Sequence, residues 1–115
     1  MPTSFMVVLS SPLEGKEEEF DEWYERHVRE VLTIPGFIAG QRFVAPAIDL
    51  GLPSVRPPLT QQHMVMWEIE GDPEAAMEAL RQVRVAKTFP VPHVFDIAET
   101  LTTVYTTRAE RVVRD

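Results

Sequence analysis

The order of helix-like and strand-like segments limits, more than any other feature, how this chain of 115 residues can fold. Two amphipathic runs, 16–33 and 73–86, each lie between strand-like segments. The first repeats apolar side chains every three to four residues, which is typical of a helix with one buried face, and the Pro-Gly pair at 35–36 ends it. The Asp-Pro pair at 72–73 predicts an N-cap and a first-turn proline for the second helix.

Strand-forming residues dominate four further segments: 3–10, 37–45, 61–70 and 98–108. The complete order is then β-α-β-β-α-β. This order predicts an α+β, ferredoxin-like fold, in which a four-stranded antiparallel sheet carries two helices on one face. The length suits one compact domain, so we expect residues 1–115 to form a single domain.

The first strand is apolar on both of its faces, since Phe5, Val7 and Leu9 alternate with Met6 and Val8. The predicted helices cover only one face of the sheet, and a large apolar patch is rare on the surface of a monomer. We therefore expect a second copy of the chain to pack on the other face, which gives a homodimer. The residues predicted for that uncovered face are Met6, Val8, Ile38, Val44, Met64, Met66 and Val104.

Composition and charge exclude several classes of partner. The formal net charge is −7 and the basic residues are scattered, whereas nucleic-acid binding requires clustered positive charge. No apolar run approaches the roughly 20 residues that cross a bilayer, and the first residues lack the basic start of a signal peptide. The chain has no cysteine, which excludes disulfides and thiolate-bound metals. We expect a cytoplasmic protein with no nucleic-acid and no membrane partner.

The stretch "EEEFDEWYERHVREVLTIPGF" resembles the first-helix signature of the EthD-like branch of the dimeric α/β-barrel superfamily. That signature has an aromatic pair, a histidine three residues later, an acidic residue near the end of the helix, and Pro-Gly-Phe at the start of the next strand. In this sequence these are Trp23, Tyr24, His27, Glu30, Pro35, Gly36 and Phe37. The resemblance covers residues 17–43 strongly and the rest of the chain through element order.

The resemblance implies a dimeric barrel and a ligand between the sheet and the helices of one protomer. The superfamily includes polyketide cyclases, cofactor-free monooxygenases, haem-degrading enzymes, muconolactone isomerase-like proteins and members without known activity. By resemblance, His27 would project into the ligand cavity with Tyr24 beside it.

Two residues of the first helix are candidates for chemistry. His27 suits proton transfer because the ordinary pKa of histidine is about 6.5; alternatively, it is a partly buried histidine that bonds to a neighbour. Tyr24 can donate a hydrogen bond to a ligand oxygen, or it simply buries its ring. The further candidates for ligand contact are Phe20, Trp23, Val31, His63 and Trp67.

The motifs of metal and nucleotide sites are missing from the sequence. No two of His27, His63 and His93 have the spacing of a zinc motif, and there is no glycine-rich phosphate loop. We therefore expect no bound cofactor and no metal. The segment 46–60 contains four prolines, and we expect it to form a lid over the cavity or an arm that contacts the second copy.

Two functional hypotheses follow. In the first, the protein is a cofactor-free enzyme of cyclase, isomerase or monooxygenase type that acts on an aromatic or polyketide-like hydrophobic molecule by proton transfer at His27. In the second, it is a homodimer without catalytic activity that binds a ligand or has a structural role.

Overall fold

The computed structural model describes residues 2–48, 51 and 59–115. Its regular elements follow the predicted order, with a short 3₁₀ turn, Ile97–Glu99, before the last strand. The elements are β1 (Ser4–Ser10), α1 (Glu17–Val31), β2 (Phe37–Val44), β3 (His63–Ile69), α2 (Pro73–Ala86) and β4 (Leu101–Thr106). Each predicted segment thus contains the element expected there, with ends that differ by a few residues.

The four strands form one sheet in the order β2-β3-β1-β4, and every neighbouring pair is antiparallel. The two helices contribute to a single core on one side of this sheet. The predicted α+β, ferredoxin-like arrangement is therefore confirmed.

Helix α1 ends in a tightened turn that serves the site described below. The Leu32 amide donates to the Arg29 carbonyl at 3.1 Å, and the Ile34 amide donates to the Val31 carbonyl at 3.0 Å. These bonds span three residues rather than four, so the carbonyl of Val28 is left available for another donor.

Helix α2 begins as the sequence predicts. The Asp72 side chain accepts a hydrogen bond from the Glu74 amide at 3.0 Å, and Pro73 occupies the first turn. The helix passes very close to the chain at Gly36, where a Cβ atom would lie 2.9 Å from the Cβ of Ala76. Since Gly36 also has a φ of +100°, only glycine fits this crossing without strain.

The sheet face that the helices cover differs from the predicted one. In β1, Met6 pairs with Trp67 and Val8 pairs with Val65, and all four side chains belong to the buried core. Their position follows from Trp67, whose indole reaches α1.

The prediction that Met6, Val8, Val44 and Val104 lie on the uncovered face is therefore wrong. Val44 pairs with His63, which contacts α1 through Phe20, and Val104 packs against the core. Met64 and Met66 do lie on the uncovered face, together with Phe5, Val7, Leu9, Phe43, Leu101 and Tyr105. Ile38, also predicted there, is 49% exposed at the irregularity between Phe37 and Ala39.

Most of the predicted lid or arm, residues 46–60, lies outside the described residues, so neither role is tested. In the described part of the chain, no helix is both long and apolar enough to span a bilayer.

Candidate functional site

A cavity of about 710 Å³ lies between the covered face of the sheet and the two helices, and the segment that follows α2 closes one side of it. This volume falls in the range of roughly 300–1,000 Å³ that is typical of sites for small molecules. The lining side chains are mostly apolar or aromatic: Met6, Val8, Trp23, Tyr24, His27, Val31, Ile34, Trp67, Leu80, Val83, Arg84, Lys87, Phe89, Pro90, Val91, Phe95, Ile97, Thr100 and Thr102.

The structure brings five of the seven predicted site residues to this cavity: Trp23, Tyr24, His27, Val31 and Trp67. Four of them lie on α1 at intervals of one, three or four residues, which places them along one side of the helix. The fifth, Trp67, projects from β3 on the covered face of the sheet.

Phe20 and His63 are not among the residues that line the cavity. Phe20 is completely buried, and its ring packs edge-on against His63 at 4.8 Å between centroids. This pair forms a part of the core beside the site, and neither residue contributes to the ligand contacts proposed below.

His27 is held in one orientation by a carboxylate. Its Nδ1 atom lies 3.0 Å from Oε1 of Glu30, three residues later on the same helix, and 20% of the His27 side chain is exposed. A carboxylate accepts hydrogen bonds, so Nδ1 carries the proton in the neutral imidazole, and Nε2 carries the lone pair.

The second ring nitrogen of His27 is available to a ligand. Within the part of the chain that the structure describes, no hydrogen bond is formed at Nε2 of His27. Every completely buried side-chain nitrogen or oxygen atom in that part has a hydrogen-bond partner, so Nε2 is not completely buried. Since His27 lines the cavity, we infer that Nε2 is accessible from it. Burial lowers the pKa of His27 below its ordinary value, the bond to Glu30 opposes this effect, and the charge of Arg84 adds to it. His27 is therefore a neutral base at pH 7.

Aromatic stacking also restricts the orientation of His27. The rings of Trp23 and His27 are nearly parallel, with centroids 4.5 Å apart, and the Phe95 ring also stacks on Trp23, with centroids 5.3 Å apart. The indole nitrogen of Trp23 donates to the carbonyl of Pro90 at 3.2 Å. Trp23 thus stacks with both His27 and Phe95, and Phe95 comes from the segment after α2.

Trp67 uses the carbonyl that the end of α1 leaves available. Its indole nitrogen donates to the Val28 carbonyl at 3.2 Å, and its ring lies edge-on to His27 with centroids 6.2 Å apart. Both indole N–H groups of the chain are thereby satisfied within the protein, so each tryptophan presents only carbon surface to a ligand.

Tyr24 is anchored to the sheet. Its hydroxyl lies 3.3 Å from Oγ of Ser10, which is fully buried, and Arg42 lies over its ring at 5.6 Å. Burial raises the pKa of Tyr24, so the hydroxyl stays protonated at neutral pH. A hydroxyl has one donor and two acceptor positions, so the contact with Ser10 leaves Tyr24 able to bond a ligand.

The other wall of the cavity includes residues that sequence reasoning missed. Leu80, Val83 and Arg84 come from α2, and Phe89 and Phe95 come from residues 87–97, which we name the closing segment. The apolar stripe of α2 was a usable signal for Leu80 and Val83. Nothing in the irregular, proline-containing closing segment indicated where it would pack.

Backbone bonds hold the closing segment against the turn after β1. The Leu13 amide donates to the Val94 carbonyl at 2.9 Å, and the Asp96 amide donates to the Ser11 carbonyl at 3.0 Å. Pro12 and Phe95 form an isolated β-bridge between these contacts. The wall is therefore tied to the sheet, which positions Phe95 against Trp23.

Among the described residues, no group of three or more histidine, cysteine or acidic side chains is placed to hold a metal ion. The described polar or charged residues that line the cavity are His27, Tyr24, Thr100, Thr102, Arg84 and Lys87. Such a set can bind, orient and exchange protons with an organic molecule.

The fold and the cavity together define a ferredoxin-like α+β protein with a space for a small molecule between its helices and its sheet. No protein-family model matches the chain, and no curated protein sequence matches it. Solved structures do match it, at the level of fold.

The structure of a "putative monooxygenase" from Shewanella loihica PV-4 aligns with 100% of this chain and 99% of its own, with a TM-score of 0.59 and 18% identity. The structure of At3g17210 from Arabidopsis thaliana aligns with 96% of this chain and 99% of its own, with a TM-score of 0.57 and 17% identity. Both alignments cover nearly the whole length of each chain, so the similarity concerns the complete fold.

Proposed function

We propose that this protein binds a hydrophobic, aromatic or polyketide-like molecule in the cavity and that His27 transfers a proton to or from it without a bound cofactor. The observation that carries this proposal is the His27–Glu30 pair: a carboxylate holds Nδ1 at 3.0 Å while the ring lines an otherwise mostly apolar cavity. A reaction of cyclase, isomerase or monooxygenase type is consistent with such a base. The monooxygenase type also agrees with the description of the Shewanella protein as a "putative monooxygenase".

The proton step uses the geometry of the pair directly. Nε2 takes a proton from an acidic C–H or O–H group of the substrate, and the bonding electrons stay on the substrate as an enolate or phenolate. The resulting imidazolium is stabilised by the adjacent Glu30 carboxylate, which needs no reorganisation during the step. The same nitrogen can then return the proton to another atom.

Tyr24 and the two tryptophans position the substrate in this proposal. The carbon faces of Trp23 and Trp67 contact a flat ring system, and the Tyr24 hydroxyl donates to a substrate oxygen. Val31 adds apolar contact from the next turn of α1.

A screen by thermal shift, weighted to aromatic acids and quinones, tests the binding part of the proposal. Ligands that raise the melting temperature are then incubated with the protein, and products are sought by mass spectrometry. His27→Ala should keep the fold, abolish ligand-dependent stabilisation and abolish turnover. Glu30→Gln should keep binding while turnover falls about 10²-fold or more, as expected for a weakened general base.

Glu25→Gln is the matched control, because Glu25 is an exposed carboxylate on the same helix. It should bind and turn over like the unmodified protein. Turnover that is unchanged in both His27→Ala and Glu30→Gln would refute proton transfer at this pair.

A binding protein without catalysis is the second candidate, and one observation favours it. The indole nitrogens and the Tyr24 hydroxyl have partners within the protein, as in a core that only packs. Tight ligands that are recovered unchanged after prolonged incubation would support this candidate over the enzyme.

We also propose that two copies pair through the uncovered sheet face, as in the dimeric α/β barrels of the EthD-like branch. The support is the apolar character of that face, on which Met64, Met66 and Phe43 lie beside Val7 and Tyr105. A patch of this kind is costly to hydrate, at roughly 25 cal/mol for each Å².

Light scattering after size exclusion tests the dimer. Met66→Lys should shift the protein to a monomer, because a second copy would bury the new charge. Val85→Lys is the control, since Val85 is 76% exposed on α2. A monomer of unmodified protein at micromolar concentration would refute the pairing.

We propose that the protein is cytoplasmic, since the absence of cysteine is compatible with a reducing compartment, and that residues 1–115 form one domain.

A further inference from the structure

The charged side chains that line the cavity are positive, whereas the net charge of the whole protein is negative. The chain carries a formal net charge of −7, yet the described side chains that line the cavity include two cations, Arg84 and Lys87, and no aspartate or glutamate. The Glu30 carboxylate is bound to His27. An anion that enters the cavity therefore meets positive charge there, although the whole protein repels it.

Arg84 reaches the cavity because of its position on α2. It lies four residues after Leu80, which is buried and lines the same cavity, so the two side chains share one side of the helix. Lys87 follows at the C-cap of α2, with a φ of 53°, and is the first residue of the closing segment. The end of α2 thus presents two cations beside an apolar cavity.

Arg84 and Lys87 have no acidic partner among the residues that the structure describes, in contrast to two other arginines that lie near the sheet or on α2. Arg42 pairs with Asp21 at 2.6 Å, and Arg81 pairs with Glu78. Within residues 2–48, 51 and 59–115, no carboxylate forms an ion pair with Arg84 or Lys87. Their charges remain available for an anion from outside the protein.

Arg84 is also close enough to His27 for its charge to act on the imidazole. After burial, which is the largest cause, the Arg84 charge contributes to the lowered pKa of His27, against the opposing effect of Glu30. An anionic oxygen held by Arg84 would therefore lie in the same cavity as the His27 imidazole.

We propose that the ligand of this cavity carries an ionised oxygen, a carboxylate or a phenolate, on its hydrophobic ring system and that Arg84 binds this oxygen, with Lys87 beside it. The proposal rests on the proposed function and names its substrate class. The guanidinium suits this role because its planar set of N–H donors matches the two oxygens of a carboxylate. If the substrate loses its proton to His27, the same cation stabilises the charge that forms on oxygen.

Three probes with one ring system test the proposal: anthraquinones that carry a carboxylate, a hydroxyl or a hydroxymethyl group at the same ring position. The third probe is neutral, and the second shows its ionisation by its absorbance. Binding is measured by quenching of tryptophan fluorescence, since both tryptophans of the chain line the cavity.

The carboxylate should bind about tenfold more tightly than the neutral alcohol, as expected for a charge-assisted hydrogen bond at a partly open site. Arg84→Gln should abolish this preference, Lys87→Asn should reduce it, and added salt should weaken only the anionic probes. Asparagine suits position 87 because it tolerates the left-handed backbone. Arg81→Gln removes the same charge one turn earlier on α2 and should leave the preference unchanged. If the hydroxyl probe binds in its phenolate form, the site also accepts phenolates.

The results separate the two proposals. Equal affinity for carboxylate and alcohol, unchanged in Arg84→Gln, would overturn the anion site while the cavity remained a binding site. A preference for the carboxylate that persists in the Arg84→Gln, Lys87→Asn double variant would likewise overturn it. No quenching by any probe in folded protein would refute the proposed binding function, and the anion site with it.

Discussion

Gly40 controls the contact between the sheet and α1 at the cavity wall, and adding one methyl group there tests that contact. A Cβ atom at Gly40 would lie 2.8 Å from Cγ1 of Val28 and 2.9 Å from Cδ1 of Trp67. Both distances are shorter than van der Waals contact, so in Gly40→Ala the two side chains must move. Trp67 is held by its hydrogen bond to the Val28 carbonyl, and movement of either residue strains that bond.

The sign of the effect is diagnostic. Where its methyl group has room, a glycine-to-alanine change stabilises a protein by about 0.4–1 kcal/mol, because it restricts the unfolded chain. Overpacking of a core instead costs about 1–3 kcal/mol. We expect the second effect to dominate, since both close contacts involve side chains packed at the helix–sheet boundary. At roughly 4 °C for each kcal/mol, the melting temperature should fall by about 4–12 °C.

Thermal and urea unfolding followed by circular dichroism measure the change, and tryptophan emission reports the movement of Trp67. Gly15→Ala is the control, because a Cβ there meets nothing within 4 Å. Its backbone φ of +81° should cost only about 1 kcal/mol, with no change in emission. Val28→Ala should partly rescue Gly40→Ala in a double-mutant cycle. Equal or increased stability of Gly40→Ala would refute the close packing of Gly40 against α1.

Three further predictions follow from the site and its supports. Turnover and the stability that His27 contributes should be complete above about pH 6.5, and both should decrease as the pH falls through the lowered pKa of His27, because the imidazole of the unfolded chain binds a proton at a higher pH. Profiles of turnover rate against pH and urea unfolding at several pH values measure these two effects. Glu30→Gln should move the midpoint of both to lower pH, because Glu30 raises the pKa of His27. Ser10→Ala removes the partner of the Tyr24 hydroxyl and should cost about 1 kcal/mol in urea unfolding, whereas no cost would mean that the contact contributes nothing. Asp72→Ala removes the N-cap of α2 and should cost about 1 kcal/mol, and Asp72→Asn should restore most of it.

Local patterns were sufficient to predict the elements. The spacing of apolar residues in α1, the Asp-Pro start of α2 and the composition of the strands are properties of neighbouring residues, so they can be recognised without tertiary contacts. Gly40 is a related case: a glycine inside a strand is typical of a bulge or of a close approach to another element, and the structure shows the close approach.

The choice of sheet face could not be predicted in the same way. In β1, both alternating sets of side chains are apolar, so the period of two separates the sets without indicating which one meets the helices. That choice depends on the partner strand, where Trp67 bonds to the end of α1 and brings Met6 with it to the covered side.

The residues of the candidate site fall into the same two groups, those that the sequence predicts and those that only tertiary packing brings together. The side chains that α1 contributes, with His27 and Glu30 one turn apart, were determined by the sequence alone, because helical geometry brings residues three positions apart onto one side. The opposing wall was decided only by the tertiary structure, since Arg84 and Phe95 are far from His27 along the chain and line the same cavity only through the packing of α2 and the closing segment. A cavity requires walls from separate elements, and no pattern within one element specifies the distance between them.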